Sequence, residues 1–438
     1  MSQNWRKKRE TTEKQLAGSI YNRVMVPLEE AQQIILQLIS DSYNNIENIE
    51  TVSIDEAGGR LLAEEIVAKE PVPNFDRSPL DGYAIRSTDT IACSDEHPVV
   101  LTIIDETPAG HFSEKNVTAG TAIKVFTGAP LPKGADAIIR YEEVGYEKLG
   151  QADDKLEKIT ISRPVKSGQS IAYQGEDIEQ GQIVLNKGQR IRAGHVGILT
   201  SLGYNSVAVI RQPRVAIFST GDELIPVEQA LSHAKIRASN LYTIAEMIRE
   251  LGGIPIVLGT AADNLEQVKE TFLTALATDA DIIISTGGVS SGDYDIVKDA
   301  MKAIEAENVF WKVAIRPGAP VAVAKKGKQL IVGLSGNPAG AIVVALLLIA
   351  PVIAKLTGAP TPLVKEQAYI STNINRERGL RGFMWGKLQQ SDILYAEPLA
   401  DQHCGIVKSY AFCNCLIEIP GGKVNLLPGD PVTVWRII

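Results

Sequence analysis

The sequence is poor in the residues that most often carry metal or redox chemistry. It has only four cysteines, Cys93, Cys404, Cys413 and Cys415, in 438 residues. They form no Cys-x-x-Cys pair and no zinc spacing, which excludes a disulfide framework and fits a reduced, cytoplasmic setting. Cys413 and Cys415 are two residues apart, so on a strand they share a face, and packing in a sheet is expected of them rather than soft-metal ligation. The five histidines are scattered without an H-E-x-x-H pattern, which removes support for a zinc hydrolase. Basic charge is also in short supply: 44 Lys and Arg stand against 52 Asp and Glu, a net charge of −8, and an extended nucleic-acid surface is not expected. The clearest basic cluster, Arg6-Lys7-Lys8-Arg9, lies in a polar tail with no apolar stretch after it, so no secretory signal is expected. The longest apolar run, Ala339 to Ala354, contains Pro351 and is shorter than the ~20 residues of a membrane span. It reads as a buried helix, with no membrane partner.

What is present is the composition of an ordinary globular protein, 45% hydrophobic and 22% charged. The chain is too long for one core, and two to four domains are expected. The most regular part begins at Arg214. Strands expected at 214–220, 254–259 and 280–286 alternate with helices from Ser239, from Asp263 and from Asp295, followed by strands at 309–315, 321–324 and 330–334. That alternation predicts a doubly wound α/β sheet, whose ligands sit at the carboxyl ends of the strands.

Three strand ends carry the chemistry. Ala280 to Asp295, ADIIISTGGVSSGDYD, runs from a β-branched strand into Thr286, Gly287, Gly288, Ser290 and Gly292, then Asp293 and Asp295. Glycines permit close approach of backbone to ligand, hydroxyls and amides donate to phosphate, and two carboxylates suit a hydrated Mg²⁺. Arg214 to Leu224, RVAIFSTGDEL, repeats the pattern with Thr220, Gly221, Asp222 and Glu223. Ser335-Gly336-Asn337-Pro338 opens the apolar helix, where free N–H groups can meet an anion. Asp263 has capping-box spacing with Glu266, so capping and a site role compete there; the same competition holds for Asp295 at its helix start. Lys312 and Arg316, in FWKVAIRPGAP, supply cations. Carboxylates and cations on one sheet edge fit metal-assisted chemistry on a phosphate.

Upstream, residues 1–20 read as a frayed polar extension. A helix is expected from Val26, with Leu28, Ala31, Ile34, Ile35 and Leu38 on one face, and Leu61, Leu62 and Ile66 form a second amphipathic pattern. Pro71 to Arg86, PVPNFDRSPLDGYAIR, is turn-rich, with acceptors at Asp76 and Asp81. Val99 to Val144 reads as short strands and includes Thr127-Gly128, and 150–158 reads as a surface hairpin. Asp177 lies in a further turn, Gly175-Glu176-Asp177. The character of residues 26–70 returns at 188–210, which implies a β domain inserted into a discontinuous first domain. After Gly358 short strands with glycine turns predict an all-β C-terminal domain.

The segments NFDRSPLDGYAIR, FTGAPLPKGADAIIRYEE, GEDIEQG, FSTGDEL, STGGVSSGDYD, FWKVAIRPGAP and GLSGNPAGA, in this order, closely resemble those of the molybdopterin molybdenumtransferases. These are the molybdenum insertases of cofactor biosynthesis, related to the gephyrin E domain. The resemblance implies an extension at 1–20, an elongated discontinuous domain at 21–70 and 160–210, and an inserted β domain at 71–159. An α/β molybdopterin-binding domain at 211–358 and a C-terminal β-barrel at 359–438 would complete it. It implies a homodimer with a cleft between subunits, and a molybdopterin adenylyltransferase and molybdoenzymes as further partners. The implied reaction inserts molybdate into adenylated molybdopterin with Mg²⁺ and releases AMP. By motif, Asp76, Thr127 and Asp177 would line the cleft, and Glu223, Asp263 and Asp295 would handle metal or adenylate. Lys312 and Arg316 would hold phosphate or molybdate. The chain departs from the family's pattern at Arg316 and Ala319, where Lys is usual, and at Ser335, where Pro is usual. Ser291 also stands where an apolar residue is commoner. These departures bear on anion affinity and on molybdate against tungstate. A molybdopterin adenylyltransferase and a non-catalytic scaffold are the alternatives. Val289 follows the glycines where the adenylyltransferases usually continue Thr-Gly, and scaffold binding would need an exposed apolar groove.

Overall fold

The computed structural model describes residues 25–43, 48–149, 156–289, 296–377 and 379–437. The expected extension at 1–20 and the expected loop residues Ser290, Gly292, Asp293 and Asp295 lie outside these residues. The chain divides into two compact units, one of Met1–Glu50 with Ile210–Ile438 and the other of Thr51–Val209.

The larger unit is built on a six-stranded sheet: β1 (Arg214–Thr220), β2 (Ile254–Ala261), β3 (Ile282–Thr286), β4 (Glu307–Lys312), β5 (Pro320–Lys326) and β6 (Gln329–Leu334). The order is β2-β1-β3-β6-β5-β4. The first four are parallel, while β5 is antiparallel to both β6 and β4. The sheet is therefore mixed at one edge, because Lys326-Gly327-Lys328 turns the chain straight back, with Gly327 at φ 58°.

Alternation along the buried strands sorts the helices onto two faces. Val215, Ile217, Ile282 and Ile284 face a core shared with α1 (Leu28–Tyr43), α2 (Ser239–Glu250) and the apolar helix. Ala216, Phe218 and Ile283 face α3 (Leu265–Leu276) and α4 (Ile296–Ala303), where Phe218 meets Phe272 edge-on at 4.9 Å. Each fully buried side chain of this size contributes about 1.5–3 kcal/mol, so the helix faces are strongly specified.

Helix α1 begins at Leu28 rather than Val26, since Val26 instead bridges to Val313. Its buried stripe is Leu28, Ala31, Ile35 and Ile39, with Ile34 and Leu38 at the margin. The apolar helix runs as α5 (Pro338–Val344), a π turn at Ala345–Ile349 and α6 (Ala350–Thr357). Among the described residues it is the one stretch long and apolar enough to cross a membrane, and 89% of its most apolar window is buried inside the protein.

The C-terminal strands close on themselves. Arg381–Gln390 pairs with Leu394–Pro398, which pairs with Leu363–Ile370, then Pro431–Ile437, then Cys415–Ile419, which returns to Arg381–Gln390. This is a five-stranded barrel, to which Ile315–Arg316 adds in parallel at Arg381–Gly382. Cys415 starts a barrel strand, but Cys413 lies before it, at the end of a short helix, Lys408–Phe412. Burial pushes the Cys413 thiol up to about 11 and the Cys415 thiol up to about 12. Both stay protonated, which fits packing rather than metal ligation.

In the smaller unit, a six-stranded sheet carries Gly82–Ile85 between Ala137–Arg140 and Thr121–Val125. Gly145–Leu149 and Leu156–Ile161 pair as a hairpin whose turn lies outside the described residues. The amphipathic pattern around Leu62 forms no helix beyond one 3₁₀ turn, Ile54–Glu56. Leu61 and Leu62 bridge to Arg190 and Val209, and Leu62, Ile66, Val207 and Val209 pack with the helix Ala193–Ser201.

Candidate functional site

In the larger unit the site grows from three neighbouring strand ends. β1 stops at Thr220, β3 at Thr286 and β6 at Leu334, all at the carboxyl edge. The N–H of Gly287 donates to the Leu334 carbonyl at 3.0 Å, which ties the second loop to the third. Gly287 has φ 98°, and a Cβ there would stand 2.3 Å from the Thr220 carbonyl oxygen. Only glycine fits, and the bare backbone forms a cradle.

Among the described residues, two hydroxyls at this edge are buried without a hydrogen-bond partner: Thr220 Oγ1 and Ser285 Oγ. Their neighbours Ser219 and Thr286 satisfy each other at 2.8 Å. Orphaned buried polar atoms are uncommon and call for a physical explanation, of which a ligand is one. Thr220 belongs to the expected set. Ser285 ends the same strand beside Thr286 but is not among the expected site residues, because the burial of its hydroxyl gives no signal in the sequence.

Asp222 and Glu223 are both exposed. The Glu223 carboxylate folds back over Gly221, so close that a Cβ on Gly221 would stand 2.5 Å from Oε2. Asp222 accepts at Oδ1 from the Asp263 N–H at 3.0 Å, which brings Asp222, Glu223 and Asp263 to one corner. Asp263 does not cap its helix. Asn264 is the N-cap, accepting from the Gln267 N–H, and Asp263 is freed for the edge.

Among the described residues no group of three or more side chains is arranged as a metal cage. Mg²⁺ needs none, since it keeps several waters and takes one or two carboxylates besides the substrate's phosphates. The exposed oxygen-only donors at Asp222, Glu223 and Asp263 fit that demand.

Ser335-Gly336-Asn337-Pro338 joins the cradle to a second space. A Cβ on Gly336 would touch Gly287 Cα at 3.4 Å, while Ser335 and Asn337 line a cleft of about 300 Å³. That cleft is lined also by Arg316, Gly318, Ala319, Leu380 and Cys404. Ser335 Oγ accepts from the Asn337 N–H at 3.1 Å, and Asn337 precedes Pro338 at the first position of α5. Asn240, near the start of α2, donates from Nδ2 to the Gly336 carbonyl at 2.9 Å. Neither Asn240 nor Leu380 was singled out by the sequence, because both act across long chain separations. Lys312 ends β4 half-buried and does not line the cleft, whereas Arg316 does.

The smaller unit brings its own expected residues together. Asp76 accepts at Oδ1 from the Gln174 N–H at 2.8 Å, and Asp177 donates its N–H to the Val72 carbonyl in the adjoining turn. Arg77 bridges to both Pro130 and Ala172. Thr127 donates its N–H and its hydroxyl to Asp81 Oδ1, each at 2.8 Å. Those bonds, the amide first and then the hydroxyl, hold the Asp81 carboxyl below its ordinary range. Asp81, which the sequence reads only as a turn residue, thus orients Thr127.

Family models match the chain in three blocks. Residues 26–203 match the MoeA N-terminal region (domain I and II), 216–355 a probable molybdopterin binding domain, and 367–437 the MoeA C-terminal region (domain IV). A molybdopterin molybdenumtransferase of Staphylococcus epidermidis is 34% identical over 420 residues, 95% of this chain and 96% of that protein. One from Bacillus subtilis is 34% identical over 419 residues, 95% of each. A crystal structure of a molybdopterin biosynthesis MoeA protein from Pyrococcus horikoshii superposes with a TM-score of 0.76 at 30% identity, over 95% of this chain and all of that one.

A mixed α/β sheet with a glycine cradle at its carboxyl edge, joined to a C-terminal barrel, places the protein among the molybdopterin-binding transferases. Matches from end to end narrow the class. The chain belongs to the MoeA family of molybdopterin molybdenumtransferases and functions in molybdenum cofactor biosynthesis.

Proposed function

We propose that the protein inserts molybdate into adenylated molybdopterin in a Mg²⁺-dependent reaction that releases AMP. The observation that carries this reading is the pair of unpartnered buried hydroxyls, Thr220 Oγ1 and Ser285 Oγ, beside the Gly287 cradle and the exposed acids of the β1 edge. Hydroxyls and backbone amides there bind the anionic end of the pterin substrate, and Gly287 and Gly288 let it approach the main chain. Glu223, with Asp222 or Asp263, would hold Mg²⁺, which supplies charge neutralisation at the phosphate oxygens. Asp293 and Asp295 are proposed for the same role from the sequence.

The cleft beside the Ser335 loop is read as the oxyanion subsite. Arg316 lines it together with Ser335 and Asn337, so a guanidinium and neutral polar groups are available to an anion there. Lys312, at the end of β4, adds positive potential to that edge. In the smaller unit Asp81 fixes Thr127, so that the Thr127 oxygen keeps its lone pairs for a ligand while Asp76 is held by Gln174. We further propose a cytoplasmic homodimer in which Asp76, Thr127 and Asp177 of one subunit serve the α/β site of the other. An adenylyltransferase would supply the substrate and molybdoenzymes would receive the product.

AMP release from adenylated molybdopterin, followed with and without molybdate and Mg²⁺, tests the reading. Release that requires both ions, with product able to activate an apo-molybdoenzyme, is expected. Release that is indifferent to molybdate would overturn it.

A further inference from the structure

Three residues that line the cleft are referred to a single barrel strand, Arg381–Gln390. Leu380 precedes that strand in the chain, and Arg316 pairs with it at Gly382. Cys404, half-buried, has neither connection. It belongs to segment 401–406, between the strand Leu394–Pro398 and the helix Lys408–Phe412. A connecting segment has no ladder of its own, so side chains must fix its course.

The Gln402 side chain supplies the missing link. Strand Leu394–Pro398 pairs with Arg381–Gln390 as far as Pro398 opposite Gly386, and the Leu399 N–H adds one bond to the Trp385 carbonyl at 2.9 Å. Beyond that point the Gln402 amide takes over the ladder. Its Oε1 accepts from the Trp385 N–H at 3.0 Å, and its Nε2 donates to the Trp385 carbonyl at 2.8 Å and to the Leu399 carbonyl at 2.7 Å. Trp385 is itself buried in the core shared with α5, so the anchor is rigid. Next to Gln402, the Asp401 carbonyl accepts from the buried Ser409 hydroxyl at 2.6 Å. Two residues on, the Cys404 carbonyl accepts from the Ala339 N–H, in the first turn of α5, at 3.0 Å. The segment is thereby docked against the helix that Ser335 and Asn337 lead into.

We propose that Gln402 is a positioning residue for the anion cleft: its amide fixes the barrel's contribution to the lining, so that Cys404 and Arg316 keep a set spacing around a bound oxyanion. This rests on the reading of that cleft as the oxyanion subsite. Gln402 does not line the cleft, so it acts through Cys404. A supporting residue of this kind matters because a site left about 1 Å too loose loses its function.

The test pairs steady-state AMP release over a molybdate series with alkylation of Cys404 by iodoacetamide, read by peptide mass spectrometry on the full-length protein. The other thiols are poor targets, because burial pushes those of Cys93, Cys413 and Cys415 up. Gln402→Met keeps the length of the side chain and removes all three bonds. It is expected to raise the KM for molybdate about fivefold or more, the equivalent of one net hydrogen bond. The KM for adenylated molybdopterin should stay at the wild-type value, and Cys404 should be labelled faster. Molybdate should slow labelling in the wild type and protect less in the variant. Wild-type KM and labelling in Gln402→Met, with protection intact in the wild type, would overturn the role of Gln402 and leave the subsite standing. An equal rise in both KM values with a lowered thermal midpoint would make Gln402 a structural tie only, and would equally overturn the proposal. No protection of wild-type Cys404 at saturating molybdate would remove the subsite reading, and the proposal with it. If Gln402→Met does not fold, Gln402→Asn takes its place. Its amide is one methylene short of reaching Trp385 and Leu399 together, so wild-type values there would refute the positioning role.

Discussion

The carbonyl oxygen of Thr220 lies directly beneath Gly287, where a Cβ would come within 2.3 Å of it. Two strand ends that are adjacent in the sheet thus meet backbone to backbone, and the loop after β3 can fold only over a residue without a side chain. Gly287→Ala faces both the backbone oxygen and a φ of 98° that alanine disfavours. A stability loss of about 2 kcal/mol or more is expected. Denaturant midpoints measure it, and binding of the pterin substrate should fall with it. A wild-type midpoint would show that the loop can shift away from Thr220 at little cost.

The Thr220 hydroxyl makes the opposite prediction. The residue is 3% exposed, and its Oγ1 has no partner among the described residues. Thr220→Val keeps the shape and removes the orphaned oxygen. The free protein should gain up to about 1 kcal/mol, since a buried unpaired hydroxyl is unfavourable. Substrate affinity should drop at the same time. A variant that is more stable and equally active would mean that the hydroxyl serves no ligand.

Much of this arrangement was legible because strand-to-glycine transitions leave a dense local signature. Thr220-Gly221, Thr286-Gly287 and Ser335-Gly336 each end a buried apolar run, and each lies where the motif placed it, at the carboxyl edge. What stayed hidden depends on contacts that are distant in the chain. Asp81 reaches Thr127 across 46 residues and Asn240 reaches Gly336 across 96. The cap at α3 was missed by one residue, because Asp263 and Asn264 have equal chemistry for the role and only geometry selects Asn264. The pattern around Leu62 gave no helix because its apolar residues pair with the returning 183–209 segment, which no local period encodes. The mixed edge of the sheet follows from one tight turn at Gly327, because strand positions read from the sequence do not carry the direction of pairing.

Asp136 predicts how the smaller unit responds to acid. Its carboxylate accepts from the Ser87 N–H and from the Ser87 hydroxyl, each at 2.6 Å. Burial works to raise its pKa, but the bonds from Ser87, joined by one from Ser167 and one from its own backbone N–H, outweigh it and the carboxyl is lowered. With the folded value below the unfolded one of about 3.9, the contribution is complete above about pH 4. It is lost as pH falls further, through the folded value. Asp136→Asn should cost about 1 kcal/mol at neutral pH, a modest figure because the group is partly solvated. The gap between variant and wild type should narrow steadily as pH falls below about 4, read as urea midpoints across an acid series. A gap that does not narrow with acid would place the effect in packing rather than charge.

Asn240 offers the sharpest separation of positioning from packing. It sits near the start of α2, 9% exposed, and its Nδ2 donates to the Gly336 carbonyl at 2.9 Å. That carbonyl belongs to the loop whose neighbours Ser335 and Asn337 line the cleft. Asn240→Asp keeps the volume but replaces the donor with an acceptor, and Asn240→Ala removes both. If donation holds the loop, both should lose about 1 kcal/mol or more of stability and both should raise the KM for molybdate. Asp should be at least as damaging as Ala, because a carboxylate facing a carbonyl oxygen is repulsive. Steady-state AMP release over a molybdate series measures the effect on KM, and thermal melts measure the effect on stability. An Asp variant that behaves like the wild type while Ala fails would show that side-chain volume, and not the hydrogen bond, sets the loop.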